Sequence, residues 1–152
     1  MAALEDANRD LLAFLASVEE EQWRMTGTAE GWPVAALAYH IADGYRIHLR
    51  WLDHMRKGEP VPGTPADLDA ENARTVADAE EMSAEVVMSA LETGGRLLAA
   101  YVRGLEPDEL TVSVPHGPLG GDDTSVDFML DIASWHVREH LRSLRRAVVR
   151  TP

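Results

Sequence analysis

The sequence contains no cysteine and a single lysine, Lys57. Without cysteine the chain forms no disulfide, no thiolate metal site and no cysteine nucleophile, so thiol chemistry would need a thiol from outside. The net charge of −12 argues against a surface that binds nucleic-acid phosphates. No apolar run approaches the roughly 20 residues of a membrane span, and the acidic N-terminus does not resemble a signal peptide. We therefore expect a cytoplasmic protein without nucleic-acid or membrane partners.

Four long segments carry apolar residues at three- and four-residue steps. This spacing predicts amphipathic helices over 2–22, 33–57, 65–104 and 126–150. The third is unusually long, and Gly94-Gly95 in its middle offers a point where it could kink or split. The connection 58–65 holds three prolines and two glycines and is long enough to cross the end of a bundle.

A second irregular stretch covers 106–123. Thr111–Val114 alternates like a short strand, but a lone strand has nothing to pair with, so a loop is the better prediction. Thr64 with Asp67 three residues later, and Thr124 or Ser125, are typical of residues that cap helix starts. The 152 residues suffice for one domain over 1–152. The sequence thus predicts an all-α four-helix bundle with a long crossover between helices two and three.

The last helix carries two histidines on the stripe that should face the core. Buried imidazoles without partners cost roughly 1–3 kcal/mol each, and an i, i+4 pair such as His136 and His140 is a common way to present two ligands to one metal. The alternative is a pair of core or surface histidines with other partners. A shared metal would need a third ligand from a facing helix.

Helix two offers three histidines for that role. His54 points toward the polar side, whereas His48 lies near the centre of the apolar stripe. His40 lies on the flank of the stripe, with Gly44, Ile47 and Trp51. Helical geometry alone does not choose between His40 and His48.

The segment from His136 to His140 also has the form H-x-x-E-H, the inverted zinc-peptidase motif. In that interpretation Glu139 is the general base that acts on metal-bound water. The distant downstream carboxylate ligand has no counterpart, which argues against a peptidase. Glu139 could still serve another metal-dependent hydrolase, or it could be a solvent-facing glutamate that pairs with Arg142 or Arg138.

Residues 31–43, GWPVAALAYHIAD, resemble the second-helix signature of the DinB/YfiT-like superfamily, in which a histidine follows a Gly-Trp by eight positions. The H-x-x-x-H pair on the last helix of that superfamily is matched by His136 and His140. The resemblance covers essentially the whole chain. It implies a four-helix bundle, often dimeric, that binds a divalent metal through three histidines, here His40, His136 and His140. Pro33 departs from the serine or threonine cap of many relatives.

The superfamily includes mycothiol-dependent maleylpyruvate isomerases and bacillithiol S-transferases. In the isomerase pattern the first position of the last-helix pair is a glutamate, so His136 is closer to the transferase-like members. The resemblance therefore implies a homodimer in which zinc, or else nickel, iron or manganese, activates a low-molecular-weight thiol for transfer or isomerisation of a small-molecule substrate. The alternatives are a hydrolase that uses Glu139 and a non-catalytic metal-binding stress protein. Expected pocket residues are Gly44, Ile47, Trp51 and Trp135.

Overall fold

The computed structural model describes residues 2–149. Its five α-helices are α1 (Ala2–Leu15), α2 (Val34–Arg56), α3 (Pro65–Ala79), α4 (Ala84–Arg103) and α5 (Val126–Val149). Two short strands, β1 (Ser113–Pro115) and β2 (Asp123–Ser125), and three short 3-10 helices, Glu20–Arg24, Glu109–Thr111 and Gly117–Leu119, occupy the connections. Within the described range, every helix is too short or too polar to cross a membrane.

Helices α1, α2, α4 and α5 form a four-helix bundle. Contacts run from α1 to α5, from α5 to α2, from α2 to α4 and from α4 back to α1. Each of these helices contributes at least one fully buried leucine, for example Leu11, Leu37, Leu91 and Leu144. Helix α3 lies in the crossover and packs on α2. The prediction of an all-α four-helix bundle with a long crossover is therefore confirmed.

The predicted third helix is in fact two helices, and the break does not lie at Gly94-Gly95. Helix α3 begins with the predicted capping box, in which Thr64 accepts a hydrogen bond from the Asp67 amide, and it ends at Ala79. Helix α4 begins after Ser83, whose hydroxyl accepts from the Val86 amide. A serine that satisfies a free helical N–H favours the start of a helix, so α4 begins after Ser83 without glycine or proline.

The glycines inside α4 instead allow close helix packing. A Cβ at position 95 would lie 2.3 Å from Asn8 Nδ2, so any larger residue here would force the Asn8 side chain to move. The Asn8 amide oxygen accepts a 2.7 Å hydrogen bond from the Tyr45 hydroxyl. The hydrogen bond between Tyr45 of α2 and Asn8 of α1 thus depends on the absence of a side chain at Gly95 of α4.

Two further predictions were wrong. The first helix ends at Leu15 and not near residue 22, because Ser17 donates to the Phe14 carbonyl and the chain turns before the 3-10 helix that buries Trp23. The stretch predicted as a loop contains strand β1, which pairs antiparallel with β2, with Val114 opposite Thr124. The strand finds its partner eight to twelve residues later in the same irregular stretch. Helix α5 follows β2 directly, and Ser125 Oγ accepts from the Phe128 amide.

The two irregular connections run side by side, with Val61 and His116 paired in an isolated parallel bridge. Val61 donates to the Pro115 carbonyl, and Gly117 donates to the Val61 carbonyl, both at 3.0 Å. A Cβ at position 117 would lie 2.0 Å from the Gly63 carbonyl oxygen, so this close pairing of the two connections requires glycine. It holds the intervening His116 with its side chain fully buried.

Candidate metal centre

The structure brings together three histidines from α2 and α5. One ring nitrogen from each of His40, His136 and His140 lies within 4.8 Å of the others. The ring centroids are 4.4–4.9 Å apart, and His40 Nε2 lies 2.9 Å from His136 Nε2. The i, i+4 pair on α5 therefore converges with the histidine that the Gly-Trp signature indicates on α2. These three residues are called the histidine cluster below.

Gly44 makes room for one member of the cluster. It lies one turn after His40 on α2, and the His136 ring lies directly against its Cα. A Cβ at this position would be 2.8 Å from His136 Cε1, closer than real side chains approach. Gly44, which was expected to line a pocket, thus leaves the space that the His136 ring occupies.

Burial keeps two of the cluster imidazoles, those of His40 and His136, in their neutral form. Loss of hydration, together with repulsion by a protonated His140, lowers the pKa of His40 from 6.5 to about 4. Burial also lowers the pKa of His136 well below its usual value, with added repulsion from the neighbouring imidazoles. A neutral imidazole has a free lone pair, which is the form that binds metals.

The structure adds a carboxylate that sequence reasoning missed. Glu30 Oε1 lies 2.8 Å from His140 Nδ1, and Glu30 Oε2 accepts a 2.5 Å hydrogen bond from Ser143 Oγ. Burial raises the pKa of Glu30, but the hydrogen bonds from Ser143 and His140 outweigh it, so the pKa lies below 4.5. Glu30 lies in the loop between the first 3-10 helix and α2, where no periodicity marks its partner. The only sequence signal is an acid immediately before the Gly-Trp.

A second group of rings lies beside the cluster. His48 is buried, with its ring 5.7 Å from that of His136 and 5.5 Å from that of Trp51. Trp51 in turn contacts His116 at 4.6 Å. Neither ring nitrogen of His116 has a hydrogen-bond partner among residues 2–149. His116, which lies in an irregular stretch, was not among the sequence candidates.

The other predicted site residues lie in different surroundings. Glu139 forms an ion pair with Arg142 and is not part of the histidine cluster. Trp135 is 58% exposed, whereas Ile47 is buried in the core. His54 pairs with Glu59 near the end of α2. Of the expected pocket residues, Gly44 contacts the cluster directly and Trp51 contacts it through His48.

Comparison with known proteins identifies the family. Residues 3–144 match the sequence profile of the DinB superfamily. The chain belongs to the DinB superfamily. A comparison with curated proteins finds no match.

Two solved structures share the DinB fold of this chain. The first is YfiT from Bacillus subtilis, described as "a probable metal-dependent hydrolase with an unusual four-helix bundle topology"; it aligns over 98% of this chain and 83% of its own, with a TM-score of 0.80 and 18% identity. The second is the mycothiol-dependent maleylpyruvate isomerase, with a TM-score of 0.81 and 16% identity over 97% of this chain. This chain spans 60% of the isomerase chain. At these identities the likeness establishes the fold.

A separate cavity of about 700 Å³ opens elsewhere on this DinB bundle. It is lined mainly by the 3-10 helix that carries Trp23, by Pro33 and Ala36 of the α2 start, and by the α3–α4 break near Met82. No cluster histidine lines it. The cavity is therefore distinct from the histidine cluster, the group of side chains that could hold a metal ion.

The donor set of the cluster fits a divalent transition metal. Three imidazole nitrogens suit zinc, nickel, iron or copper, and two nitrogens that bind one tetrahedral zinc lie about 3.3 Å apart. The 2.9 Å separation of His40 Nε2 and His136 Nε2 is a few tenths of an ångström short of that value. Gly44 leaves room for the His136 ring, and Glu30 supports His140 as an outer carboxylate does in many metal sites.

Proposed function

We propose that this DinB protein binds a divalent metal through His40, His136 and His140 and catalyses a thiol-dependent transfer or isomerisation. The observation that carries the proposal is the convergence of three ring nitrogens within 4.8 Å. Three protein ligands leave a coordination position open, which is typical of catalytic zinc sites. Zinc is the first choice of metal, and nickel, iron and manganese are the alternatives.

The chain's own residues prepare this site for an external thiol. Burial keeps His40 and His136 neutral and able to donate their lone pairs. When bound, a divalent metal lowers the pKa of a coordinated thiol and supplies thiolate at neutral pH. The sequence has no cysteine, which is compatible with a thiol supplied by a small molecule. The similarity in fold to an isomerase named for its dependence on mycothiol supports this choice.

Metal analysis and a thiol-conjugation assay test the proposal together. Purified protein should carry near-stoichiometric metal and should either consume mycothiol or bacillithiol in the presence of an electrophile, as a transferase does, or isomerise a substrate only when the thiol is present, without net consumption of the thiol. The variant His136→Ala should lose both properties. His54→Ala is the matched control, since it removes a histidine from the end of α2 and should leave both unchanged. Absence of metal from the wild type, or equal thiol-dependent activity of His136→Ala, would reject the proposal.

A metal-dependent hydrolase is the second candidate function. It is supported by the similarity in fold to YfiT, which is described as such an enzyme. In the version with Glu139 as the general base, the carboxylate would have to leave its ion pair with Arg142. If Glu139→Ala abolished a hydrolytic activity while no thiol was consumed, this candidate would replace the first. Stoichiometric metal without either activity would indicate a non-catalytic metal-binding protein.

We also propose a homodimer that acts on small molecules in the cytoplasm, where thiols are kept reduced. Two large apolar side chains, Phe128 and Trp135, are more than half exposed on α5 and support an additional contact surface. Sedimentation at several protein concentrations measures the oligomeric state directly. A monomer at all concentrations would remove the dimer from the proposal and leave the metal site untouched.

A further inference from the structure

We propose that Glu30 is a positioning residue that fixes the tautomer of His140 and thereby the nitrogen which His140 presents to the cluster. This inference rests on the proposed metal site. It concerns a loop residue that touches neither of the other two cluster histidines by a hydrogen bond in the described part of the chain. Its action therefore passes through His140.

The tautomer follows from the chemistry of the contact. An ionised carboxylate has acceptor sites only, and Glu30 Oε1 lies 2.8 Å from His140 Nδ1. The proton of a neutral His140 must therefore be on Nδ1, where it is donated to Glu30. Nε2 then carries the free lone pair. Without the carboxylate, nothing in this contact would prevent the proton from moving to Nε2, where it would block metal binding.

The rest of the cluster uses the same nitrogen. His40 and His136 face each other through their Nε2 atoms at 2.9 Å. With Nδ1 of His140 engaged by Glu30, Nε2 is the atom left to join them. All three imidazoles would then bind through Nε2, which is a coherent donor set.

The position of Glu30 is itself fixed by α5. Ser143, three residues after His140, donates to Glu30 Oε2 at 2.5 Å and accepts a 2.8 Å hydrogen bond from the Ala29 amide. The loop is closed further by Thr28, which bonds the Trp32 backbone through both N–H and C=O. The carboxylate is thus held at both oxygens before any metal arrives, as expected of a preorganised outer-shell group.

Nitrogen NMR of metal-free protein with ¹⁵N-labelled histidine tests the tautomer without any metal. Wild-type His140 should be protonated on Nδ1. Glu30→Ala should shift His140 toward the Nε2–H form, whereas Glu30→Gln should retain Nδ1–H, because the amide oxygen still accepts. Glu21→Ala, an exposed glutamate on the preceding 3-10 helix, is the charge-matched control and should match wild type. Retention of Nδ1–H in Glu30→Ala, or its loss in Glu30→Gln, would overturn the inference.

Metal titration separates this inference from the proposed function. Glu30→Ala should weaken metal binding about 10- to 100-fold, the usual cost of losing such a partner, and Glu30→Gln should recover part of the loss. If wild type binds no metal while the NMR result holds, the proposed function fails and the tautomer assignment stands. If wild type binds metal and Glu30→Ala binds it within twofold, the positioning role is wrong. Circular dichroism of each variant checks the fold, and Glu30→Gln, being isosteric, keeps the test decisive if Glu30→Ala unfolds.

Discussion

The His136 ring of α5 occupies the space that a side chain at Gly44 of α2 would fill, since a Cβ at position 44 would lie 2.8 Å from His136 Cε1. The approach of the two helices at the cluster is therefore set by an absent side chain. His136 approaches His40 across Gly44, which lies one turn after His40 on α2 and has no side chain in the way. The geometry of the histidines thus depends on a residue that has no ligand atom in its side chain.

Gly44→Ala should displace His136 and weaken metal binding by about tenfold or more, as other losses of ligand orientation do. Alanine is the better helix former by about 1 kcal/mol, so the metal-free variant should keep its helical content. Isothermal titration with zinc measures the affinity. Gly104→Ala is the control, because a Cβ there meets nothing closer than 3.5 Å. Equal zinc affinity of Gly44→Ala and wild type would contradict the prediction.

Zinc should raise the melting temperature of wild type and of His48→Ala but not of His40→Ala. A ligand at 100 times its Kd stabilises the native state by about 2.7 kcal/mol, or roughly 5–10 °C for a chain of this size. His48 is the matched control because it is also buried on α2 and contacts His136 without joining the cluster. If zinc raised the melting temperature of His40→Ala but not that of His48→Ala, then His48, and not His40, would be the metal ligand on α2.

His116→Leu should stabilise the protein, and the gain should grow as the pH falls. Leucine removes two ring nitrogens that lack partners in the described chain and that are fully buried. Burial lowers the pKa of His116 below 6.5, so the unfolded chain binds a proton more readily than the native protein. Wild type therefore loses stability as the pH falls from 6.5 toward the native pKa, and the variant is spared this loss.

Urea unfolding at pH 7 and pH 5, with metal-free wild type and His116→Leu side by side, measures this difference. Comparison at each pH cancels the titration of all other groups that the two proteins share. A difference in unfolding free energy that is constant or smaller at pH 5 would show that His116 does not carry the effect. Loss of zinc affinity in His116→Leu would point to a functional role for the Trp51 contact.

Gly95→Ala should destabilise the bundle by roughly 1–3 kcal/mol, the usual cost of overpacking a core contact. The added Cβ would lie 2.3 Å from Asn8 Nδ2 and would disturb the hydrogen bond from Tyr45 to Asn8. The midpoint of urea unfolding reports the loss. The double variant Asn8→Ala/Gly95→Ala should be less destabilised than the sum of the two single changes, because Asn8→Ala removes the clash. If the two single changes in unfolding free energy simply added up in the double variant, the clash with Asn8 would not be the cause of the destabilisation.

The sequence predicted the features that follow from the spacing of residues within one helix. The bundle followed from four amphipathic segments, and the convergence of His136 and His140 followed from their i, i+4 spacing on α5. Geometry alone left His40 and His48 equal, and only the resemblance to relatives favoured His40. The structure now shows why the two differ: His40 reaches both α5 histidines, whereas His48 contacts His136 alone among them.

Three features could not be predicted from the sequence: a contact between an irregular segment and a distant helix, a helix cap and a pair of very short strands. Glu30 meets His140 across 110 positions, from a loop that has no repeating pattern. The start of α4 is capped by Ser83, and serine is also common outside helix starts. Strand β1 was missed because its partner β2 has only three residues, too few to show alternation.

The pairing of the two connections at Val61 and His116 has an evolutionary consequence. Loops normally absorb insertions and deletions with little cost. Here a residue added near Val61 or Gly63 would push against Gly117 and shift His116 and its contact with Trp51. Length changes in one connection should therefore be accepted only with a matching change in the other. These two connections would vary as a pair, and circular permutation or tag insertion should avoid both.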